Sequence, residues 1–279
     1  MPQRIPHILS VAGSDSGGGA GIQADLKTFS AFGCYGMTAI TAVTSQNSLG
    51  VHWTEQLSTQ SVDTQIHAVV ADFGVHAVKV GMLGSEAMVQ CVAQAIQKYE
   101  LQHIVIDPVL VATSGATLGD TGTAIAIAKH LFPLATLITP NLYEASVFLG
   151  KEVKTPTQMK EAVIELLQMG PPAVLLKGGH LEGGDDLLDL LAYQEQAQII
   201  FKEFHHQKIH TKNSHGTGCT LSSAIACGLG SGLSLFDAVN VGIDFVQQAL
   251  MHGSQLNIGQ GAGPLWHAYE QYSQIVEEK

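Results

Sequence analysis

The sequence predicts an α/β fold: a mostly parallel, doubly wound sheet with helices on both faces and a small antiparallel hairpin. Three observations predict it. Short apolar runs alternate with helical patterns from end to end. Apolar residues make up 46% of the 279-residue chain and aromatic residues only 6%, a composition suited to strands buried on both faces. No linker, repeat or low-complexity segment breaks the alternation, so residues 1–279 read as one domain.

The first strand, His7–Val11, runs into the glycine turn Gly13–Gly21 and a helix over Ile22–Ala31. Met37–Thr44 is the second strand. Three helix–strand pairs follow: Val62–Phe73 with Ala77–Val80, Glu86–Tyr99 with Ile104–Ile106, and Thr121–Leu131 with Leu137–Thr139. Asn141 and Glu144 open a helix over Leu142–Leu149. Thr155-Pro156-Thr157-Gln158 supplies an N-cap, a proline at the first helical position and a glutamine at the third, and so opens Pro156–Met169, which Gly170 stops. Val174–Leu176 is the next strand. After Gly178 the segments LLDLLAYQ and QIIFKEFHHQ, joined by a short polar turn, read as the hairpin, and two further helices end near His252.

Charge narrows the function. The net charge is −11, from 13 basic and 24 acidic residues, and Arg4 is the single arginine. Nucleic-acid binding needs many Lys and Arg contacts to phosphate, and a bidentate arginine clamp is not available. If the chain handles phosphate, then backbone amides, a divalent metal and one or two lysines must hold it. Cys34, Cys91, Cys219 and Cys227 show no CxxC spacing, which argues against structural zinc and a disulfide framework. His205, His206 and His210 lie on the last hairpin strand, no HExxH occurs, and they read as surface residues. MPQRIPHILSVAG holds too short an apolar run for a signal peptide, and no run approaches a membrane span. The expectation is a cytoplasmic protein.

Ser214-His215-Gly216-Thr217-Gly218-Cys219-Thr220, followed by the small-residue run LSSAIACGLG, is the strongest local signal. Its glycines let backbone approach an anion, and the helix after Thr220 directs free N–H groups and a positive dipole end at one spot. Such a turn can hold nucleotide phosphates, with Cys219 placed beside the group that receives a phosphoryl. A helix N-terminus also lowers a thiol pKa, so Cys219 is expected to be the most acidic cysteine. The other reading is a small-residue helix start chosen for packing.

The first glycine turn lacks the G-x-G-x-x-G spacing and the later acidic residue of a dinucleotide site, and no G-x-x-x-x-G-K-[ST] occurs. What remains is backbone that can lie against a flat ligand. The amide of Gln46 matches the edge of an aminopyrimidine or similar heterocycle. Asp25 either accepts from an exocyclic amine or answers the helix dipole. Asp107 and Glu144, after neighbouring strands, can hold Mg²⁺ directly or through water; Glu144 can equally complete a capping box with Asn141. Lys177, at the end of a buried strand, calls for an anion. Gly13, Gln46, Met82, Asp107, Asn141 and Lys177 each come just after a strand, where ligands bind in such sheets.

GSDSGGGAGIQADLKTFSAFG, Thr44–Gly50, KVGML, IDPVLVATSG, LITPNLYEA, LLKGGH and TKNSHGTGCTLSSAIA stand in this order across nearly the whole chain, and the tail Gly259–Pro264 fits as well. The chain closely resembles the bacterial hydroxymethylpyrimidine/phosphomethylpyrimidine kinases of thiamine biosynthesis, in the ribokinase-like superfamily. The resemblance implies an open α/β fold, usually dimeric. It implies that ATP and Mg²⁺ serve two successive phosphorylations, of 4-amino-5-hydroxymethyl-2-methylpyrimidine and then of its monophosphate. By the family's motifs, Gln46, Asp25, Gly13, Met82 and Val109 would line the pyrimidine pocket. Cys219 would be the catalytic residue, where related sugar kinases carry aspartate. Asp107 and Glu144 would lie near Mg²⁺; Lys177, Asn141 and the amides of Gly216, Thr217 and Gly218 would lie near the nucleotide phosphates. Thr113 stands where many relatives carry lysine, which leaves the charge contributed by that loop open. Some relatives with this cysteine motif phosphorylate vitamin B6, so a pyridoxine or pyridoxal kinase is the second reading. A catalytically silent pyrimidine sensor is a remote third.

Overall fold

Alternate residues along the central strands enter two apolar layers, which fixes a sheet covered on both sides. The computed structural model describes residues 5–111, 115, 118–179, 185–196 and 198–270; Thr113 lies outside the described residues. The strands are β1 (His7–Asp15), β2 (Tyr35–Asn47), β3 (Gly50–Gln56), β4 (Ala77–Val80), β5 (Ile104–Ile106), β6 (Leu137–Ile138), β7 (Ala173–Leu176), β8 (Asp186–Glu195) and β9 (Gln198–Gln207). The helices are α1 (Gly21–Ala31), α2 (Thr59–Phe73), α3 (Glu86–Lys98), α4 (Thr121–Ala126), α5 (Leu142–Leu149), α6 (Pro156–Leu167), α7 (Thr217–Gly230) and α8 (Leu235–Gly253). One nine-stranded sheet has the order β3-β2-β1-β4-β5-β6-β7-β8-β9. Its six central strands run parallel; β3 is antiparallel on one edge and the β8–β9 hairpin on the other.

Leu9, Val78, Val80 and Ile106 join the layer under α2 to α6, while Ile8, Ala77 and Val105 join the layer under α1, α7 and α8. Ile8, Leu9, Val78 and Val105 show no exposed surface, and each such side chain contributes roughly 1.5–3 kcal/mol through burial. β1 has β2 on one side and β4 on the other. Strand order therefore reverses beside β1, and a crevice opens past the carboxyl ends of β1 and β4, where ligands of doubly wound sheets bind.

The expected strand–helix succession and hairpin are present, with differences that have physical causes. β1 and β2 run four and three residues further than expected, so Gly13 and Gln46 lie inside strands rather than after them. β3 was not expected: it is an edge strand whose residues from His52 onward are exposed, so it has no buried face to impose alternation. The helix expected over Thr121–Leu131 is α-helical only to Ala126, then passes through a π-helical turn at Ile127–Leu131 into a 3₁₀ turn containing Pro133, whose missing N–H cannot continue an α-helical ladder. His206 is not a surface residue: its side chain is only 14% exposed, and its Nε2 lies 3.9 Å from Asp189. His210 falls beyond the end of β9. Among the described residues, no helix is long and apolar enough to cross a membrane.

Candidate active site

Two glycine-rich turns meet at the crevice. Gly216, the N-cap of α7, has φ 93°, a left-handed backbone that favours glycine. A Cβ on Gly216 would also collide with the carbonyl oxygen of Gly19, so at that point the turn after β1 and the start of α7 meet as bare backbone.

Asp15 organises this junction. Its Oδ1 accepts from the Gly17 amide at 2.8 Å, and its Oδ2 from the amides of Gly19 and Ala20 at 3.0 and 2.8 Å. The Nε2 of His215 stands 2.9 Å from the same Oδ2. Burial pushes Asp15 up, but His215 and the amides of Ala20 and Gly17 outweigh it and hold the carboxyl below its usual value. The Gln46 amide nitrogen lies 3.1 Å from His215 Nε2, and Thr44 Oγ1 donates to Gln46 Oε1 at 3.3 Å. Beside them opens a recess of about 270 Å³ lined by Gln46, Ser48, Leu49, His215 and Gly261. The chain after α8 braces the recess from behind. The His215 amide donates to the Gly263 carbonyl at 3.0 Å, and the buried Asn213 side chain donates to the carbonyls of Gly253 and Leu256.

A second group of charges lies under the start of α7. Lys177 Nζ stands 2.9 Å from Asp107 Oδ1. A Cβ on Gly218 would stand 3.2 Å from that ammonium and 3.3 Å from Asp107 Oδ2, so glycine leaves a cradle between the helix N-terminus and the pair. The N–H groups of Thr217, Gly218 and Cys219 open α7, positions without an intrahelical acceptor. Lys177 is held by a bridge to Asn141 and by its amide, which donates to Pro140 at 2.9 Å. Burial pulls the Lys177 ammonium down, but Asp107 and Glu144 outweigh it and raise the pKa.

Glu144 does complete the capping box: its Oε2 accepts from the Asn141 amide at 2.8 Å, and the Asn141 side chain accepts from the Glu144 amide at 2.8 Å. Burial pushes its carboxyl up to about 7 against the pull of Lys177, with Asp107 adding repulsion. Capping and a place among the charges are both present. Glu144 is held neutral or charged by its neighbours, so an arriving cation would favour the charged form.

The acidity expected of Cys219 is overturned. Part of its surface remains open, yet burial pushes the thiol up to about 11; Lys79 pulls it down, while Asp25 and Asp107 push it up. The helix N-terminus does not offset the surrounding desolvation. Cys34, through its hydrogen bond to Cys227, is instead the cysteine lowered below its ordinary value.

The remaining expected residues divide. Gly13 faces Met82: a Cβ on Gly13 would stand 3.2 Å from Met82 Sδ. Val109 is half-buried beside Asp107, to whose carbonyl its amide donates at 2.8 Å. Asp25 departs from the expected place in the pyrimidine pocket. Its side chain has no exposed surface, and its oxygens are taken by Lys79, Ser10 and Ser223. Sequence reasoning missed Asp15, His215 and Lys79. Only Asp15 had a local signal, an aspartate just before three glycines whose amides it can accept.

Hard oxygen donors suit Mg²⁺, and Asp107 with Glu144 supplies two carboxylates beside the Gly218 cradle. Among the described residues no group of three or more His, Cys, Asp or Glu could hold a metal ion. The residues thus fit a cation whose remaining ligands are phosphate and water.

A family model described as phosphomethylpyrimidine kinase matches residues 15–266. A Rhizobium meliloti protein named hydroxymethylpyrimidine/phosphomethylpyrimidine kinase is 42% identical over 265 residues, covering 93% of this chain and 96% of its own. A rice protein named as a probable chloroplastic thiamine biosynthetic bifunctional enzyme is 40% identical over 95% of this chain, which spans about half, 48%, of that protein. The solved structure of a Bacillus subtilis pyridoxal kinase with ADP superimposes with a TM-score of 0.86 at 33% identity, over 96% of this chain and all of that one. On these matches and this fold, the chain belongs to the phosphomethylpyrimidine kinase family.

Proposed function

We propose that the chain uses ATP and Mg²⁺ to phosphorylate 4-amino-5-hydroxymethyl-2-methylpyrimidine to its monophosphate and then to the diphosphate, in thiamine biosynthesis. The observation that carries this reading is the α7 N-terminus, with Cys219 in its first turn and the Gly218 cradle on Asp107 and Lys177. The 42% identity to a protein named for this activity supports the choice of substrate.

Phosphoryl transfer asks a protein mainly for positioning and charge stabilisation. When bound, Mg²⁺-ATP supplies the phosphoryl group and neutralises part of its charge. The amides of Gly216, Thr217 and Gly218 face the phosphates, as helix N-termini do, and Lys177 adds a positive charge from the sheet. Asn141 keeps Lys177 in register. Gln46, set by His215 and Asp15, reads the polar edge of the pyrimidine, while Gly13, Met82 and Val109 supply its flat walls. Cys219 orients the substrate hydroxyl. With a thiol near 11, it is almost wholly protonated at neutral pH, so hydrogen bonding to the hydroxyl comes before any role as base.

This reading takes residues 1–279 as one ribokinase-like kinase domain in the cytoplasm. It includes a homodimer built on the β3 edge, where Trp53 of β3 and Val43 of the neighbouring β2 are exposed. A pyridoxal kinase is the second reading, supported by the TM-score of 0.86 to a protein of that name. One assay separates the two: turnover of hydroxymethylpyrimidine and of pyridoxal at equal concentrations with ATP. The proposal requires kcat/KM to favour the pyrimidine; preference for pyridoxal reverses the order of the readings.

A further inference from the structure

On β4, Val78 and Val80 face the layer under α2 to α6 while Ala77 faces the other, so Lys79 projects with Ala77 toward α1 and α7. Whereas the Lys177 side chain remains partly open, that of Lys79 has no exposed surface. Its ammonium stands 2.9 and 3.0 Å from the two Asp25 oxygens. Asp25 also accepts from Ser10 Oγ at 2.5 Å and from Ser223 Oγ at 2.7 Å. Ser223 lies on α7 four residues past Cys219, one turn along the same face. One carboxylate thereby joins β1, β4, α1 and α7. Glycine keeps the space open, since a Cβ on Gly81 would stand 2.8 Å from the Lys79 ammonium.

Folding stability gives no reason for this pair. Moving two charges out of water costs several kcal/mol per ion, and an apolar pair of similar volume is often as stable or more so. Its position does give a reason. Burial pulls Lys79 down, yet Asp25, with Cys219 and Asp107 behind it, outweighs burial and keeps the ammonium charged. Cys219 is faced by Lys79 from β4, Asp25 from α1, Asp107 after β5 and Lys177 after β7. Lys79 and Lys177 oppose the two carboxylates.

We propose that Lys79 is a positioning residue of the phosphoryl-transfer centre: paired with Asp25, it fixes the first turns of α7, and with them Cys219 and the phosphate-facing amides, against the carboxyl ends of β1 and β4. The proposal rests on the assignment of Cys219 to that centre. It adds an internal cation, out of reach of solvent, that sets both the place and the charge environment of the thiol.

Lys79→Met, Asp25→Asn and Ser223→Ala test it, with Cys219→Ala as the control on the assignment. Two quantities are read on each folded variant. The first is kcat with the KM for ATP. The second is the rate of Cys219 alkylation by iodoacetamide near pH 8.5, located by peptide mass spectrometry, which follows the thiolate fraction. Lys79→Met is expected to lower kcat roughly tenfold or more with the KM for ATP within about threefold, and to slow alkylation roughly tenfold, one pKa unit. Asp25→Asn, which leaves the lysine's charge to the thiol, is expected to speed alkylation about threefold or more. Ser223→Ala is expected to lower kcat about threefold without touching either charge. A pair that merely stabilises the fold would shift melting and leave the alkylation rates alone. Wild-type kcat and alkylation in folded Lys79→Met overturn the proposal; where that variant does not fold, wild-type alkylation in Asp25→Asn overturns it. If Cys219→Ala keeps wild-type turnover while alkylation responds as described, Cys219 leaves the reaction and the hold of the pair on α7 stands.

Discussion

Asp15 and His215, 200 residues apart in the chain, are joined by a contact of 2.9 Å that closes one glycine turn onto another. The imidazole meets an ionised carboxylate that three backbone amides already hold. Its other neighbour is the Gln46 amide at 3.1 Å. In the proposed reading Gln46 contacts the pyrimidine, and Asp15 acts only by holding His215 and Gln46 in place. Asp15→Ala leaves the amides of Gly17, Gly19 and Ala20 without their acceptor, at roughly 1–3 kcal/mol for a buried group such as the Gly19 N–H. Its Tm should fall by several degrees, and pyrimidine affinity should weaken with it. An unchanged Tm would show that the turns hold without the carboxylate.

Gln46→Ala removes the amide and leaves the Asp15–His215 contact in place. The polar edge of a bound pyrimidine would lose its partner at roughly 1–3 kcal/mol. Calorimetry should show about tenfold weaker pyrimidine binding with ATP binding little changed. Equal loss for both ligands would mean the crevice had rearranged rather than lost a contact.

Lys177→Met is expected to act on phosphate. The Asp107 and Glu144 carboxylates would face each other without their cation, and the charge on the transferring group would lose a positive neighbour. Turnover should fall by roughly 10²–10³, the range for one positioned electrostatic contact, and the KM for ATP should rise. Wild-type kinetics in this variant would move the nucleotide away from the Gly218 cradle.

His267 sets an acid limit on stability. Its Nε2 lies 2.8 Å from Thr220 Oγ1 on α7, and burial, helped by Lys27, lowers its pKa from 6.5 to about 4. Between those values the unfolded chain binds a proton that the folded chain does not, so stability rises with pH across the window and is lost as pH falls through it. Melting temperatures measured from pH 4 to 7 should slope upward for the wild type and less steeply for His267→Gln. The same slope in both proteins would assign the acid loss elsewhere.

Much of this was legible in the sequence, and the failures share a cause. The central strands announced themselves because burial on both faces forces apolar runs such as IVI and AVLL. β3 did not, because an exposed edge places no demand on its residues. Position singles out Cys219, Asp107, Glu144 and Lys177 in the sequence: each follows a strand end or opens a helix. Lys79 was hidden by the same rule, since a lysine inside AVKV gives no local sign that a carboxylate on α1 awaits it. The Asp15–His215 contact is equally invisible to spacing. The position of Cys219 at a helix start is readable in the sequence, but its acidity is not, because the desolvation that raises the thiol comes from the packed structure.

The central claim is that the α7 N-terminus, with Cys219, carries two successive phosphorylations of a hydroxymethylpyrimidine. The most direct test follows the products from ATP, Mg²⁺ and 4-amino-5-hydroxymethyl-2-methylpyrimidine by mass spectrometry, for the wild type and for Cys219→Ala. The account predicts monophosphate and then diphosphate from the wild type, with both steps slowed roughly 10²–10⁴-fold in the variant, as for loss of a positioned acid–base group. No phosphorylated pyrimidine from the wild type, or wild-type rates from Cys219→Ala, would contradict it.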